Sequence, residues 1–259
     1  MATDPAPPSP RQPQLPAPNV WARLGRRRAV ALAAAVAVVV LTSLWTPAVL
    51  RAALHAVGYA VCHQIADHSF FVGGWQLPLC ARCTGTFLGV LLGFGMVFAR
   101  RRTRCNDIPP FPISAILALF FIAWGADGLN SYLTLLGGSL PHLYEPHNAL
   151  RLTTGMLLGI ALSSLVYPVL SMTLWVRVRD QRSIESFKEL GVLLLAAGVI
   201  ILGILFGPEP LRYAASVLST LGVLMMLMVV TTLTAIVVLR RENRATRWRD
   251  LWLPACLGL

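Results

Sequence analysis

Three cysteines and two histidines are concentrated between positions 62 and 83, as Cys62-His63, His68 and Cys80-x-x-Cys83. Thiolate sulfur and imidazole nitrogen are the ligands that tetrahedral zinc takes, so Cys62, Cys80 and Cys83 with His63 or His68 compose a Cys3His set for zinc or another transition metal. The same thiols support other chemistry. If Cys80 opens a helix, with Arg82 beside it, its thiol pKa falls and a thiol–disulfide couple with Cys62 as resolving partner becomes available. A structural disulfide or free, packed thiols would also satisfy the pattern, and the spacing leaves these readings open. No His follows the Cys-x-x-Cys, which disfavours covalent haem attachment.

A second polar group lies downstream at Asp127, Asn148, Arg151 and Thr154. Ionisable groups near a bilayer are costly unless paired or facing a wet cavity, so an Asp127–Arg151 ion pair is expected. Together with Arg82 these residues form either a polar pocket adjoining the cysteines or a static brace between helices. His142, Glu145 and His147 lie between Asp127 and Asn148 and become candidates only if their loop folds toward the thiols.

The elements that must position these groups are membrane helices. The chain has 259 residues, 56% hydrophobic and 13% charged, with a mean hydropathy of +0.67. Its charges are gathered in clusters between nearly uncharged runs, and such runs need lipid as solvent. The net charge of +11 does not point to nucleic acid, because the bases sit between apolar runs; lipid is the expected partner and nucleic acid is not.

Residues 1–20 are Pro-rich and cannot bury a core, so a disordered tail is expected. Residues 21–47 carry an Arg cluster and an apolar run, read as an uncleaved first transmembrane helix that Pro47 ends. Residues 48–61 suit a short amphipathic helix, and 62–79 read as loop punctuated by Gly73-Gly74 and Pro78. Five further runs, at about 79–99, 112–129, 149–176, 190–206 and 213–239, can each cross a bilayer. The domain reading follows: a core over 48–176 with the Cys/His loop and three spanning helices, two more helices over 177–239, and a basic tail over 240–259. With the N-terminus in the cytoplasm, every Arg and Lys except Arg51, Arg82, Arg151 and Arg212 falls inside, and the histidines, Cys62, Cys80 and Cys83 fall outside. The expectation is an all-α polytopic protein of about six transmembrane helices, both termini cytoplasmic, in a bacterial plasma membrane. Gly85, Gly89 and Gly93 form one stripe that lets another helix approach closely.

Cys62-His63-Gln64, Ser69-Phe70 and the run Leu77-Pro78-Leu79-Cys80-Ala81-Arg82-Cys83-Thr84-Gly85 resemble a family of prokaryotic predicted membrane proteins of unknown function with a Cys-His-Gln … Cys-x-Arg-Cys-Thr-Gly signature. Asp127-Gly128 and Asn148 with Arg151, Thr154 and Gly155 match it again, so the resemblance spans about residues 55–165. The family usually has Arg where this chain has His68. The resemblance implies a bacterial membrane location and a shared site, and supplies no activity. The leading expectation is a metal-binding or thiol-redox membrane protein. A small-solute transporter or channel subunit, or an assembly scaffold whose cysteines are purely structural, are the alternatives.

Overall fold

The computed structural model describes residues 48–136, 143–240, 242–246 and 250. The expected N-terminal tail and first transmembrane helix, His142, Cys256 and the C-terminal segment 251–259 lie outside them. Helix α1, Ala48–Tyr59, buries Leu54 and Gly58. A Cβ at Gly58 would overlap the Pro78 carbonyl oxygen, so this glycine lets the following strand cross the helix.

Segment 62–79, expected as loop, is corrected to a 3-10 turn at Ala66–His68 followed by a hairpin. Strands β1, Ser69–Val72, and β2, Trp75–Cys80, pair antiparallel with Val72 opposite Trp75. Gly73 (φ +53°) and Gly74 (φ +76°) make the two-residue turn. Two consecutive left-handed residues match the strand twist, which a Gly-Gly pair permits without strain. Loop punctuation and a hairpin turn use the same residues, and the aromatic and branched flanks decide for the hairpin.

Five long helices follow: α2 Ala81–Ala99, α3 Phe111–Leu135, α4 Asn148–Leu174, α5 Phe187–Phe206 and α6 Glu209–Val238. Each is long and apolar enough to cross a membrane; even 19 residues rise roughly 28 Å, close to the hydrocarbon thickness. The spans match the five runs read from hydropathy within a few residues at most ends. Val192, Leu195, Val199 and Leu202 form an exposed stripe on α5, as do Leu119, Ile122 and Leu129 on α3. Such stripes suit a lipid solvent.

The bundle is organised by α2 and α4, which run parallel in close contact. A Cβ at Gly85 would overlap the Leu152 carbonyl oxygen, and one at Gly155 would overlap that of Arg82. Gly89 and Gly159 repeat the exchange one turn further along. The stripe seen in the sequence therefore meets a second stripe on α4, and backbone touches backbone. Leu88, Leu152, Met156 and Ile160 continue this contact into the core with Ile113 and Leu117 of α3.

At the end away from Cys62, Cys80 and Cys83, β3 (Cys105–Asp107) pairs parallel with β4 (Arg179–Arg182). Arg102 donates to Glu189 at 2.8 and 2.9 Å and to Glu185 at 2.7 Å. These contacts fasten the α2–α3 and α4–α5 connections to each other.

Candidate metal centre

The first turn of α2 carries its functional residues on two opposite faces. Cys80 is the N-cap and Cys83 lies one turn later, so both project to one side. Cys62 reaches the same place from the end of α1. Its amide donates to the Gly58 carbonyl at 2.9 Å, and the next turn is set by Gln64 in the left-handed region (φ +49°). The Gln64 side chain donates to the carbonyls of His55 (3.0 Å) and Pro78 (2.7 Å), while Gln76 Nε2 donates to the Gln64 carbonyl at 2.8 Å. These bonds fasten Cys62 beside β2.

The result is a trio: the Sγ atoms of Cys62, Cys80 and Cys83 all lie within 4.8 Å of one another. Thiolates at about 2.3 Å around tetrahedral zinc are roughly 3.8 Å apart, so the spacing is close to a ligand set. The Cys80 amide donates to Cys62 Sγ at 3.2 Å. Bonds from the Cys80 and Cys83 thiols hold Cys62 far below the ordinary thiol range, and the bond with Cys62 pushes Cys80 up. Leu79, Val223 of α6, Val57 and Phe87 pack around the sulfurs. Gly222 lets α6 come against the Phe87 carbonyl, closing that wall.

The histidines expected to complete a Cys3His set do not join the trio. His63 is exposed and its Nδ1 accepts the Ile65 amide at 3.0 Å, so local backbone occupies it. The 3-10 turn carries His68 toward α4, where Asn148 Nδ2 donates to the carbonyls on either side of it, Asp67 (3.2 Å) and Ser69 (3.4 Å). His68 is buried, and burial first, then Arg151, hold its imidazole below the ordinary histidine range. Glu145 and His147 are exposed and stay outside the trio.

Arg82 projects from the other face of the same turn, toward α3 and α4. It pairs with Asp127 through Nη2, through Nε at 3.0 Å and through the Asp127 carbonyl at 3.1 Å, and it donates to Ser131 Oγ at 2.9 Å. The expected Asp127–Arg151 pair is thus corrected: the carboxylate belongs to Arg82. Its other bonds come from Thr154 Oγ1 (3.3 Å) and the Tyr144 hydroxyl (2.9 Å). Burial first, then Asp127, push the Tyr144 phenol up to about 12, so it serves as a donor. Arg151 instead donates to Asn148 Oδ1 at 2.9 Å. Arg82, Asp127 and Thr154 therefore form one network, with Asn148 and Arg151 beside it, and Asn148 ties that side to β1 through the Ser69 carbonyl opposite Cys80.

Sequence reasoning did not single out Tyr144, Ser131 or Val223. Tyr144 is held by Asn130, which donates to its carbonyl at 2.8 Å and accepts the Leu143 amide at 2.7 Å. Asn130 follows Asp127 by three residues on α3, a spacing that hints at a shared face. Nothing in the sequence marks Val223, an ordinary apolar position.

The family model described as predicted membrane protein DUF2085 matches residues 62–165, beginning on Cys62 itself. An uncharacterised protein of Methanocaldococcus jannaschii is 32% identical over 116 residues, 45% of this chain and 67% of that protein. This chain belongs to the DUF2085 family. A second relative, an uncharacterised protein of Methanothermobacter thermautotrophicus, is 29% identical over 105 residues, covering 40% of this chain and 83% of that protein. No solved structure matches. The DUF2085 segment contains all three thiols, the hairpin, α2, α3 and most of α4, and hence both polar clusters. Helices α1, α5 and α6 lie outside it, so two walls of the thiol cluster, Val57 and Val223, come from beyond the DUF2085 match. The chain is a multi-pass membrane protein of a family without an assigned activity, and its three clustered cysteines are able to hold a metal ion.

Proposed function

We propose that this protein holds a divalent transition-metal ion, zinc in the first instance, on the thiolates of Cys62, Cys80 and Cys83. The observation that carries the reading is the convergence of three sulfurs, from two separate segments, within 4.8 Å. The amide bond to Cys62 and the start of α2 favour thiolate charge there. Three protein thiolates leave one tetrahedral position for a non-protein ligand, an arrangement typical of reactive rather than closed zinc sites. Arg82, Asp127, Asn148, Arg151 and Thr154 form a polar support beside the first turn of α2.

Described bases cluster at the opposite end of the bundle: Arg100, Arg101, Arg102, Arg104, Arg177, Arg179, Arg182, Lys188, Arg240 and Arg244. Their position supports a cytoplasmic placement of that end, with the thiols on the outer side of the plasma membrane and the N-terminus inside. A thiol–disulfide role is the second reading, favoured by the Cys80 and Cys83 thiols and the Cys80 amide lying against Cys62 Sγ, which lowers its pKa. In it, Cys62 attacks a partner disulfide, one partner sulfur leaves as thiolate, and Cys80 or Cys83 then displaces the other, so the partner is reduced as this chain is oxidised. Metal content and thiol labelling before and after reduction separate the two. Stoichiometric metal lost in Cys83→Ser supports the first; metal-free protein with reduction-dependent labelling supports the second.

A further inference from the structure

The polar network on the α3–α4 side of α2 holds one more cation than it holds anions. Asp127, 1% exposed, has both oxygens engaged, Oδ2 by Arg82 and Thr154 and Oδ1 by Tyr144. Arg151 is 4% exposed, and its hydrogen bond among the described residues goes to the neutral amide of Asn148. Its Nε is sealed from solvent and has no hydrogen-bond partner among the described residues. His68, buried nearby, has no anionic form to offer the guanidinium. A buried guanidinium with no carboxylate of its own is costly, and proteins that keep one generally meet it with an anion.

The guanidinium also lies at a place that favours anions. Asn148 is the first residue of α4, a 27-residue helix, and His147 precedes it without a side-chain cap. The bond from Arg151 Nη1 to Asn148 Oδ1 holds the guanidinium at that helix start, where the first amides and the positive end of the dipole point. Leu143 and Leu150, both exposed, flank the same end and offer an apolar surface.

We propose that Arg151 and the start of α4 bind a phosphate-type oxyanion at the membrane–water boundary. The chemistry is shared by an anionic lipid headgroup and by free phosphate, and the exposed leucines favour the lipid. The site uses Arg151 and the start of α4 and none of the three thiols.

The test is thermal unfolding of the full chain in detergent with added phosphatidylglycerol, phosphatidylcholine or inorganic phosphate. Phosphatidylglycerol should raise the midpoint where phosphatidylcholine does not, and Arg151→Gln should need about tenfold more lipid for the same shift. Stabilisation by inorganic phosphate without lipid, lost in the same variant, would support the site with a soluble ligand instead. If Arg151→Gln does not fold, native mass spectrometry of the wild-type protein with phosphatidylglycerol or phosphate replaces it, with a retained adduct expected. No stabilisation and no adduct from either anion, or an equal response from Arg151→Gln, would overturn the proposal.

Discussion

The backbone amide of Cys80 donates to the sulfur of Cys62 at 3.2 Å, across 18 residues of sequence. This bond joins the two chain segments that supply the thiols, and it places the sulfur against the start of α2. What keeps Cys62 there is Gln64, whose amide nitrogen bridges α1 and β2.

Gln64→Ala should therefore weaken the centre without touching a sulfur. Loss of a residue that orients a ligand typically costs about 10–100-fold in metal affinity. Competition with a chromophoric chelator measures it. Cys105→Ser is the control, since Cys105 is buried among Phe94, Val97 and Tyr167 and should leave affinity unchanged.

Glycine substitutions should divide by position. Gly85→Ala and Gly155→Ala force a Cβ into carbonyl oxygens of the facing helix, and overpacking of this kind costs about 1–3 kcal/mol. Gly95→Ala meets nothing within 4 Å and should be neutral or stabilising by roughly 0.5–1 kcal/mol through helix propensity. Thermal midpoints of the three variants check this directly. Equal midpoints would mean that α2 and α4 are not in backbone contact.

Arg82→Gln alone leaves the Asp127 carboxylate buried with two neutral donors, a loss of about 3–5 kcal/mol for a broken buried pair. Adding Asp127→Asn should recover a large part of it. A double-mutant cycle for Asp127 with Arg151 should show weaker coupling, because no bond joins them. Strong Asp127–Arg151 coupling with none at Arg82 would reverse the assignment.

These contrasts show what was legible in the sequence. The five described spans followed from hydropathy, because lipid demands long uncharged runs whatever the tertiary packing. The thiol cluster was legible from Cys80-x-x-Cys83 at a helix start, since a three-residue step fixes two sulfurs on one face. The partner of Asp127 was not. Arg82 lies between two cysteines in sequence, which suggested an effect on their thiols, yet its step along the helix turns it to the opposite face. The hairpin was also hidden, because Gly73-Gly74 reads equally as loop or turn until the flanking strands pair. Val57 and Val223 could not be foreseen at all, being apolar residues whose role is purely positional.

His68 yields a pH prediction. Its imidazole pKa is lowered in the folded protein, chiefly by burial. The unfolded chain therefore binds a proton more readily, and stability is fully present above the ordinary histidine pKa of about 6.5 and lost as pH falls from there through the folded pKa. His68→Gln should flatten the drop in thermal midpoint over this window. A wild-type midpoint that rises on acidification would contradict it.

The central claim is that Cys62, Cys80 and Cys83 bind one metal ion together. Elemental analysis of the purified native protein, with cobalt substitution to read thiolate charge-transfer absorption, tests it most directly. One equivalent of metal per chain, with intense near-ultraviolet bands that weaken in each single Cys→Ser variant, is the predicted result. No stoichiometric metal and no cobalt–thiolate absorption in a folded protein with all three thiols reduced would contradict it.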